Sequence, residues 1–271
     1  MIRIDDGKCV KCGICTEVCA VSAITPASFE VNQEDCFQCC NCLSVCHRQA
    51  ISFGSFTTEG FRGYSIASED FRNLIRNRRS CRNYQPRNID KSVIGGIAEE
   101  LSYSPTGGNL QGVNVTVLDH PDKVRKLSDR INELFIAYGK LGYLLVPMLG
   151  LKNALDFLRL VKRLKTRTGD ILTHNAPAAL VFHADPKSTN TPHEDCSIAA
   201  AVAVLYAEVS DLGTCFNGYL SIGLNYSRRI RKMLGIPKGH RVYAALTIGY
   251  PKYTYRNMVY RKSVSVEYPE L

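Results

Sequence analysis

The sequence holds no apolar run long enough to cross a bilayer, which takes roughly 18 residues or more. The longest candidate, Leu141 to Leu151, is 11 residues long, contains one proline and two glycines, and is bounded by Lys140 and Lys152. The start, Met1-Ile2-Arg3-Ile4-Asp5-Asp6, lacks the apolar stretch of a secretory signal. A cytoplasmic chain is therefore expected, and a disulfide framework is not. No Gly-x-Gly-x-x-Gly fingerprint occurs, so no separate dinucleotide-binding domain is expected. The 45% apolar and 22% charged residues are ordinary for a globular chain and exclude wholesale disorder, collagen and coiled coil.

What is present is unevenly spread. Nine of the 12 cysteines lie before residue 50. Residues 1–56 carry four Lys/Arg against six Asp/Glu, while the rest of the chain carries 30 against 19 and accounts for the net charge of +9. Two parts with different tasks are implied. A basic part of this kind suits nucleic acid, an anionic membrane, an acidic protein or an anionic cofactor, and composition does not choose among them.

Spacing chooses for the cysteines. Cys9-x2-Cys12-x2-Cys15-x3-Cys19 recurs 27 residues later as Cys36-x2-Cys39-x2-Cys42-x3-Cys46. Three thiols in seven residues converge from one turn on a compact soft centre, whereas structural zinc uses paired Cys-x2-Cys knuckles separated by longer loops. Residues 2–54 closely resemble bacterial two-cluster ferredoxins. The resemblance implies one [4Fe–4S] cluster on Cys9, Cys12, Cys15 and Cys46 and another on Cys36, Cys39, Cys42 and Cys19. Cys40, between two ligands, is expected to point away. The proline that usually follows the fourth cysteine is replaced by Ala20 in the first run and His47 in the second. Short strands are expected at Ile24-Thr25, Phe29–Asn32 and Ile51–Phe53.

Residues 57–69 read as a linker rich in glycine, serine and threonine. Beyond it, helices are expected from Glu69 (capped by Ser68), over Ser92–Tyr103, Asp122–Tyr138 and Glu194–Leu212. Strands are expected over Val113–Asp119, Ala176–Ala184 and Val242–Ile248. The strands are too few and irregular for a doubly wound sheet, so an α+β sandwich is expected over residues 70–271.

Four segments then carry a second resemblance. They are Arg78-Arg79-Ser80-x-Arg82, Ser104-Pro105-x-Gly107-Gly108-Asn109-x-Gln111, Leu212-Gly213-Thr214-Cys215-x-Asn217-Gly218, and Gly249-Tyr250-Pro251 followed by Arg256. Singly they read as a solvated basic helix end, a turn and a strand end. In this order they resemble the flavin-binding segments of the nitroreductase family, and the whole chain resembles ferredoxin-fused nitroreductases, a group associated with anaerobes. The resemblance implies FMN, with Arg78, Arg79, Ser80, Arg82 and Arg256 about its phosphate. Arginine forks suit phosphate oxygens. It places Ser104, Pro105, Gly107, Gly108, Asn109 and Gln111 along the flavin ring, Asn109 at its rim, and the Asn217–Gly218 backbone at flavin N5. It also implies a homodimer, which the tail from Tyr253 to Tyr268 suits; the Ala-rich Glu194–Leu212 helix suits a dimer core or the core of one chain.

Residues 139–172 form an insertion. Leu141, Leu144, Leu145, Met148, Leu149, Leu151, Leu155, Leu158 and Leu160 make it apolar, and Arg159, Lys162, Arg163, Lys165 and Arg167 make it basic. It reads as a lid over the flavin, as helices packed on the body, or as a segment resting on an anionic membrane. His174, His183 and His193 read as isolated core or loop histidines, and Cys196 and Cys215 as buried small apolar residues.

The expected function is a flavin oxidoreductase supplied by two on-board [4Fe–4S] clusters, fed by a low-potential donor such as ferredoxin and reducing a small organic acceptor of nitroaromatic, quinone or enone type. No protein acid or base is expected to be catalytic, and neither a nucleic acid nor a membrane partner is expected. The alternative is an electron-transfer or redox-sensing protein without a dedicated substrate.

Overall fold

The computed structural model describes residues 1–54, 56, 58, 60, 63–140, 151–166 and 169–270. The chain divides into two compact units, residues 1–65 with 106–111, and residues 66–105 with 112–271.

The first unit is a duplicated motif that exchanges its edges. Strand β1 (Ile2–Ile4) pairs antiparallel with β2 (Ile51–Phe53), joining the start of the first half to the end of the second. The counterpart 27 residues on is the single bridge Ile24↔Val31, so the strands expected there shrink to one bridge. Asp5 N–H donates to Ala50 carbonyl at 2.7 Å and Asn32 N–H to Ala23 carbonyl at 2.8 Å, again one half to the other. Helix α1 (Ile14–Glu17) and helix α2 (Asn41–Val45) begin at the same repeat position.

The backbone repeats as well. Left-handed residues fall in pairs 27 apart: Lys11 and Gln38, Gly13 and Cys40, Ser22 and Gln49. Cys40 thus stands where the first run has glycine, at the start of the short helix, with φ 61°. That explains why it departs from the ligand spacing.

The second unit is built on a four-stranded antiparallel sheet in the order β3-β4-β6-β5. The strands are β3 (Asn114–Leu118), β4 (Ala178–Ala184), β5 (Gly213–Phe216) and β6 (Arg241–Gly249). All seven residues of β4 are buried. Its alternate side chains serve opposite faces, Ala179 and Val181 one cluster, Ala178, Leu180 and Phe182 the other. A register shift at Phe182/His183 puts Val242 and Ala245 of β6, three apart, on the same side.

Helices cover both faces. On one side lie α5 (Pro121–Gly139), α6 (Leu151–Thr166), α8 (Gly218–Tyr226) and α9 (Arg228–Met233); on the other lie α4 (Lys91–Glu100) and α7 (Pro192–Val209). Helix α5 has Pro121 in its first turn, a His120 Nδ1 cap on the Asp122 N–H, and Val124, Leu127, Ile131 and Phe135 buried at helical spacing. Helix α7 buries Ala199, Ala200, Ala203 and Ala207, whose small side chains let it lie close on β4 and β6.

Helix α3 (Ser68–Asn77) starts one residue earlier than expected. Ser68 is its first helical residue, Ala67 holds the cap position, and no side chain caps it. Strand β5 and helices α8 and α9 were not foreseen. β5 is only four residues long, and α8 has no clear apolar stripe to reveal it. In the insertion, Leu160 and Leu164 of α6 are buried against the α5 side of the core, while Lys162, Arg163 and Lys165 are exposed. That matches a helix packed on the body with a solvated basic face. Leu141, Leu144, Leu145, Met148, Leu149 and Arg167 lie outside the described residues, as do several linker positions between 55 and 62.

Candidate functional site

In the first unit the eight spaced cysteines line two cavities. Cys9, Cys12, Cys15 and Cys46 border one of about 20 Å³, lined also by apolar side chains such as Ile4, Val10 and Phe29. Cys19, Cys36, Cys39 and Cys42 border another of about 30 Å³. The fourth cysteine of each run therefore faces the other run's cavity, because the two halves exchange their edges. Backbone N–H groups aim at these sulfurs: Ala23 N to Cys19 Sγ (3.2 Å), Ala50 N to Cys46 Sγ (3.3 Å) and Gln38 N to Cys36 Sγ (3.4 Å). Cys40 also borders the second cavity, contrary to expectation, but its thiol is directed to the Gln38 carbonyl at 3.5 Å. Burial pushes the Cys42 thiol up to about 11 and raises Cys15 as well. Among the described residues, no three His, Cys, Asp or Glu side chains converge on a single ion position.

In the second unit, long-range pairing gathers three of the four flavin-type segments. Ser80 bridges Thr214 in parallel, and Cys81 N–H donates to the Thr214 carbonyl at 2.8 Å. Tyr84 bridges Pro251, Gln85 N–H donates to the Tyr250 carbonyl and Lys252 N–H to the Asn83 carbonyl. The Tyr84 hydroxyl lies 2.8 Å from the Cys81 carbonyl and 2.9 Å from Thr247 Oγ1, and burial raises its pKa far above the ordinary phenol value. The approach is close enough to demand glycine at 213: a Cβ there would stand 2.7 Å from the Cys81 Cβ.

The arginines differ in their commitments. Arg79 turns back on its own chain, donating to the Arg76 and Arg78 carbonyls at 2.6 and 2.9 Å, and reaches the Asn257 carbonyl at 3.5 Å. The contact with Asn257 brings the tail, with Arg256 in it, to this segment. Among the described residues the guanidinium groups of Arg78, Arg82 and Arg256 have no carboxylate partner within ion-pair distance. Glu208 is half-buried; burial raises its pKa, opposed by the charges of Arg78 and Arg79. Two hydroxyls of the family segments, Ser104 Oγ and Thr214 Oγ1, are buried without a hydrogen-bond partner among the described residues.

The remaining segment divides. Ser104 and Pro105 belong to the second unit, whereas Thr106–Gln111 belong to the first. There Gly108, Asn109 and Gln111 are all left-handed, Gln111 N–H donates to Thr106 Oγ1, and the Asn109 amide donates to the Gln38 carbonyl at 2.9 Å. Asn217 is buried, and its side chain is spent on structure: Oδ1 caps the Leu220 N–H and Nδ2 donates to the Leu172 carbonyl. Gly218 opens α8 with no atom within 4 Å of where a Cβ would stand.

A model described as the Nitroreductase family matches residues 75–250. The chain belongs to the nitroreductase family. Among its relatives, an Archaeoglobus fulgidus protein named for NADH dehydrogenase/NAD(P)H nitroreductase is 27% identical over 188 residues, 68% of this chain and 87% of that protein. Mouse iodotyrosine deiodinase 1 is 23% identical over 193 residues, and the match spans 69% of this chain but only 64% of the deiodinase. Solved nitroreductases with bound FMN from Bacteroides fragilis and Desulfitobacterium hafniense each superpose with a TM-score of 0.56, at 22% and 23% identity. They cover 72% and 74% of this chain, and 96% and 100% of their own. This nitroreductase-family chain thus has the family's α+β fold in its second unit.

Two features escaped the expected site. His183 is not isolated: its Nδ1 lies 2.9 Å from His240 Nδ1 and its Nε2 3.0 Å from Thr116 Oγ1. Burial, with His240 beside it, lowers its pKa to about 4. The other is Asp170, whose turn lies beside Asn217. Its only sequence signal is an aspartate directly after Gly169, a residue type that makes Asx turns. His193 packs edge-on against Tyr243, and Cys196 and Cys215 are buried.

Proposed function

We propose that this FMN-dependent oxidoreductase of the nitroreductase family carries two [4Fe–4S] clusters in its first unit. In this reading it takes electrons from a low-potential protein donor such as ferredoxin and reduces a small organic acceptor of nitroaromatic, quinone or enone type. The observation that carries the reading is the pair of cavities, each bordered by three cysteines of one run and the fourth of the other. Four thiols around each cavity fit a [4Fe–4S] centre by donor chemistry.

FMN is fitted by donor chemistry as well. Among the described residues Arg78, Arg82 and Arg256 have no carboxylate within ion-pair distance, and Ser104 Oγ and Thr214 Oγ1 are buried polar atoms without a hydrogen-bond partner. When bound, FMN supplies two-electron chemistry and the clusters supply single-electron transfer. The chain's own work is to hold and shield. Arg78, Ser80, Arg82 and Arg256 supply cationic and hydroxyl donors to a phosphate, with Arg79 bracing the segment between helix end and tail. Within the second unit, Ser104 and Pro105 lie along the ring in this reading, and the Asn217–Gly218 backbone supplies its other edge.

A homodimer completes this reading. Helix α7 leaves Ile198 and Val209 exposed at 38% and 65%, on the side away from its buried alanines, and Tyr253, Tyr260 and Tyr268 of the tail are exposed too. Apolar groups so exposed on one chain suit a second copy.

Anaerobically purified protein tests the reading: it should contain iron and sulfide in equal amounts together with FMN. Arg82→Ala and Arg256→Ala should each weaken FMN by roughly 2–5 kcal/mol, as when a charge loses its partner. Cys19→Ala and Cys46→Ala should slow ferredoxin-driven flavin reduction while sparing turnover by chemically reduced flavin. Colourless protein with zinc in place of iron would overturn the cluster reading. NAD(P)H reducing the flavin as fast in Cys19→Ala as ferredoxin does in the wild type would overturn the donor.

A further inference from the structure

One turn in the second unit is organised around a single carboxylate. Asp170 accepts a hydrogen bond from Ser128 Oγ of α5 at 2.6 Å. It also accepts from the backbone N–H groups of Leu172 (3.1 Å), Thr173 (2.9 Å) and Asn175 (3.1 Å), and from the Thr173 hydroxyl. Burial disfavours the charge, but the bonds from Ser128 and Thr173 outweigh it and hold the carboxyl below its ordinary range.

Such a centre answers a local need. His174 and Asn175 are consecutive left-handed residues, φ 57° and 53°, a conformation that side chains other than glycine resist. It persists only where surrounding bonds over-determine it. A carboxylate suits because its two oxygens offer about four acceptor sites and no donor.

The turn is also tied to the family site. The Leu172 carbonyl accepts from Asn217 Nδ2 at 2.7 Å, while Oδ1 of the same amide accepts from the Leu220 N–H at 3.2 Å and caps α8. One amide, 6% exposed, therefore grips the turn with its donor end and starts the helix with its acceptor end. The peptide between Asn217 and Gly218 is aimed by both grips.

We propose that Asp170 is a positioning residue of the flavin site. It fixes the turn 170–175 and, through the Leu172 carbonyl and the Asn217 amide, the direction of the Asn217–Gly218 peptide. The proposal rests on the reading above in which that peptide faces the flavin ring.

The test uses the full chain with its native cofactors, measuring the FMN dissociation constant, the reduction potential of the bound flavin and thermal unfolding. Asp170→Asn keeps the size but turns an NH2 toward N–H donors; it should weaken FMN at least about tenfold and shift the flavin potential. Asn217→Asp keeps the cap acceptor and loses the donor to Leu172, and should weaken FMN to a similar degree. The double variant should be little worse than the poorer single one, since both act along one route. Should Asp170→Asn fail to fold, Ser128→Ala, which removes one bond to the carboxylate, should still shift the potential and weaken FMN a few-fold. Wild-type FMN affinity and potential in Asp170→Asn, in Ser128→Ala where that variant stands in, or multiplicative losses in the double variant, would overturn the proposal and leave the flavin site standing. A wild-type protein that binds no FMN would overturn both.

Discussion

The two units bury their interiors with different materials. The second wraps two aliphatic clusters around a sheet whose central strand β4 is buried at every residue. The first has a core of Ile2, Ile24, Leu43 and Ile51 with Cys15 and Cys42. Strain is divided in the opposite sense. Of the 11 left-handed residues other than glycine among the described residues, eight belong to the first unit. A small unit with little apolar burial and many costly backbone conformations needs another source of stability. In the proposed reading the two clusters supply it, whereas the second unit's core rests on apolar burial.

The sharpest way to break that contrast is to remove iron. A structural metal contributes on the order of 10 kcal/mol in small domains that depend on it. Anaerobic chelation should therefore strip hydrogen-exchange protection from the amides of β1, β2 and the bridge Ile24↔Val31. Strands β3 to β6 should keep theirs. Persistent protection in β1 and β2 would show that the aliphatic residues suffice.

A smaller effect probes the second unit, through acid rather than metal. His183 is buried and its folded pKa is depressed from 6.5 to about 4, so between those values the unfolded chain binds a proton that the folded chain refuses. Stability from this group is complete above about pH 6.5 and is lost as pH falls toward 4. At about 1.4 kcal/mol per pH unit the loss amounts to roughly 3 kcal/mol. Denaturant unfolding at pH 7 and pH 4.5 should show this slope in the wild type and a flatter one in His183→Gln. Equal slopes in the two proteins would remove the His183–His240 pair from the account.

The smallest expected effect concerns Cys40. Glycine fills the equivalent position 13, so Cys40→Gly relieves the left-handed cost of about 1–2 kcal/mol while adding freedom to the unfolded chain. The net should be a gain of less than about 1 kcal/mol in the unfolding of the first unit, with iron content unchanged. Loss of iron in this variant would make Cys40 a ligand.

Much of this was legible in the residues because the signals are local. The helix over Pro121–Gly139 announces itself through Pro121 and the spacing of Val124, Leu127 and Ile131, and β4 through an unbroken apolar run. Strand β5 did not, since four residues carry no periodicity and its pairing with β6 lies some 30 residues away in the chain. The same limit hid the second partners of Asn217. Its place in a family segment was visible, but the Leu172 carbonyl that it holds is 45 residues upstream.

The sequence by itself determined the donor types: eight cysteines at a 27-residue repeat and an arginine-rich segment after α3, because covalent spacing alone brings the first three cysteines of each run close together. Only the tertiary structure decided which polar groups stay uncommitted. Arg79 is consumed by carbonyls while Arg82 is not, Asp170 gathers a turn and Ser128 into one knot, and His183 finds His240. Those outcomes depend on partners brought together by burial of apolar faces, which is non-directional. The sequence pattern states which faces are buried, and packing alone states what meets across them.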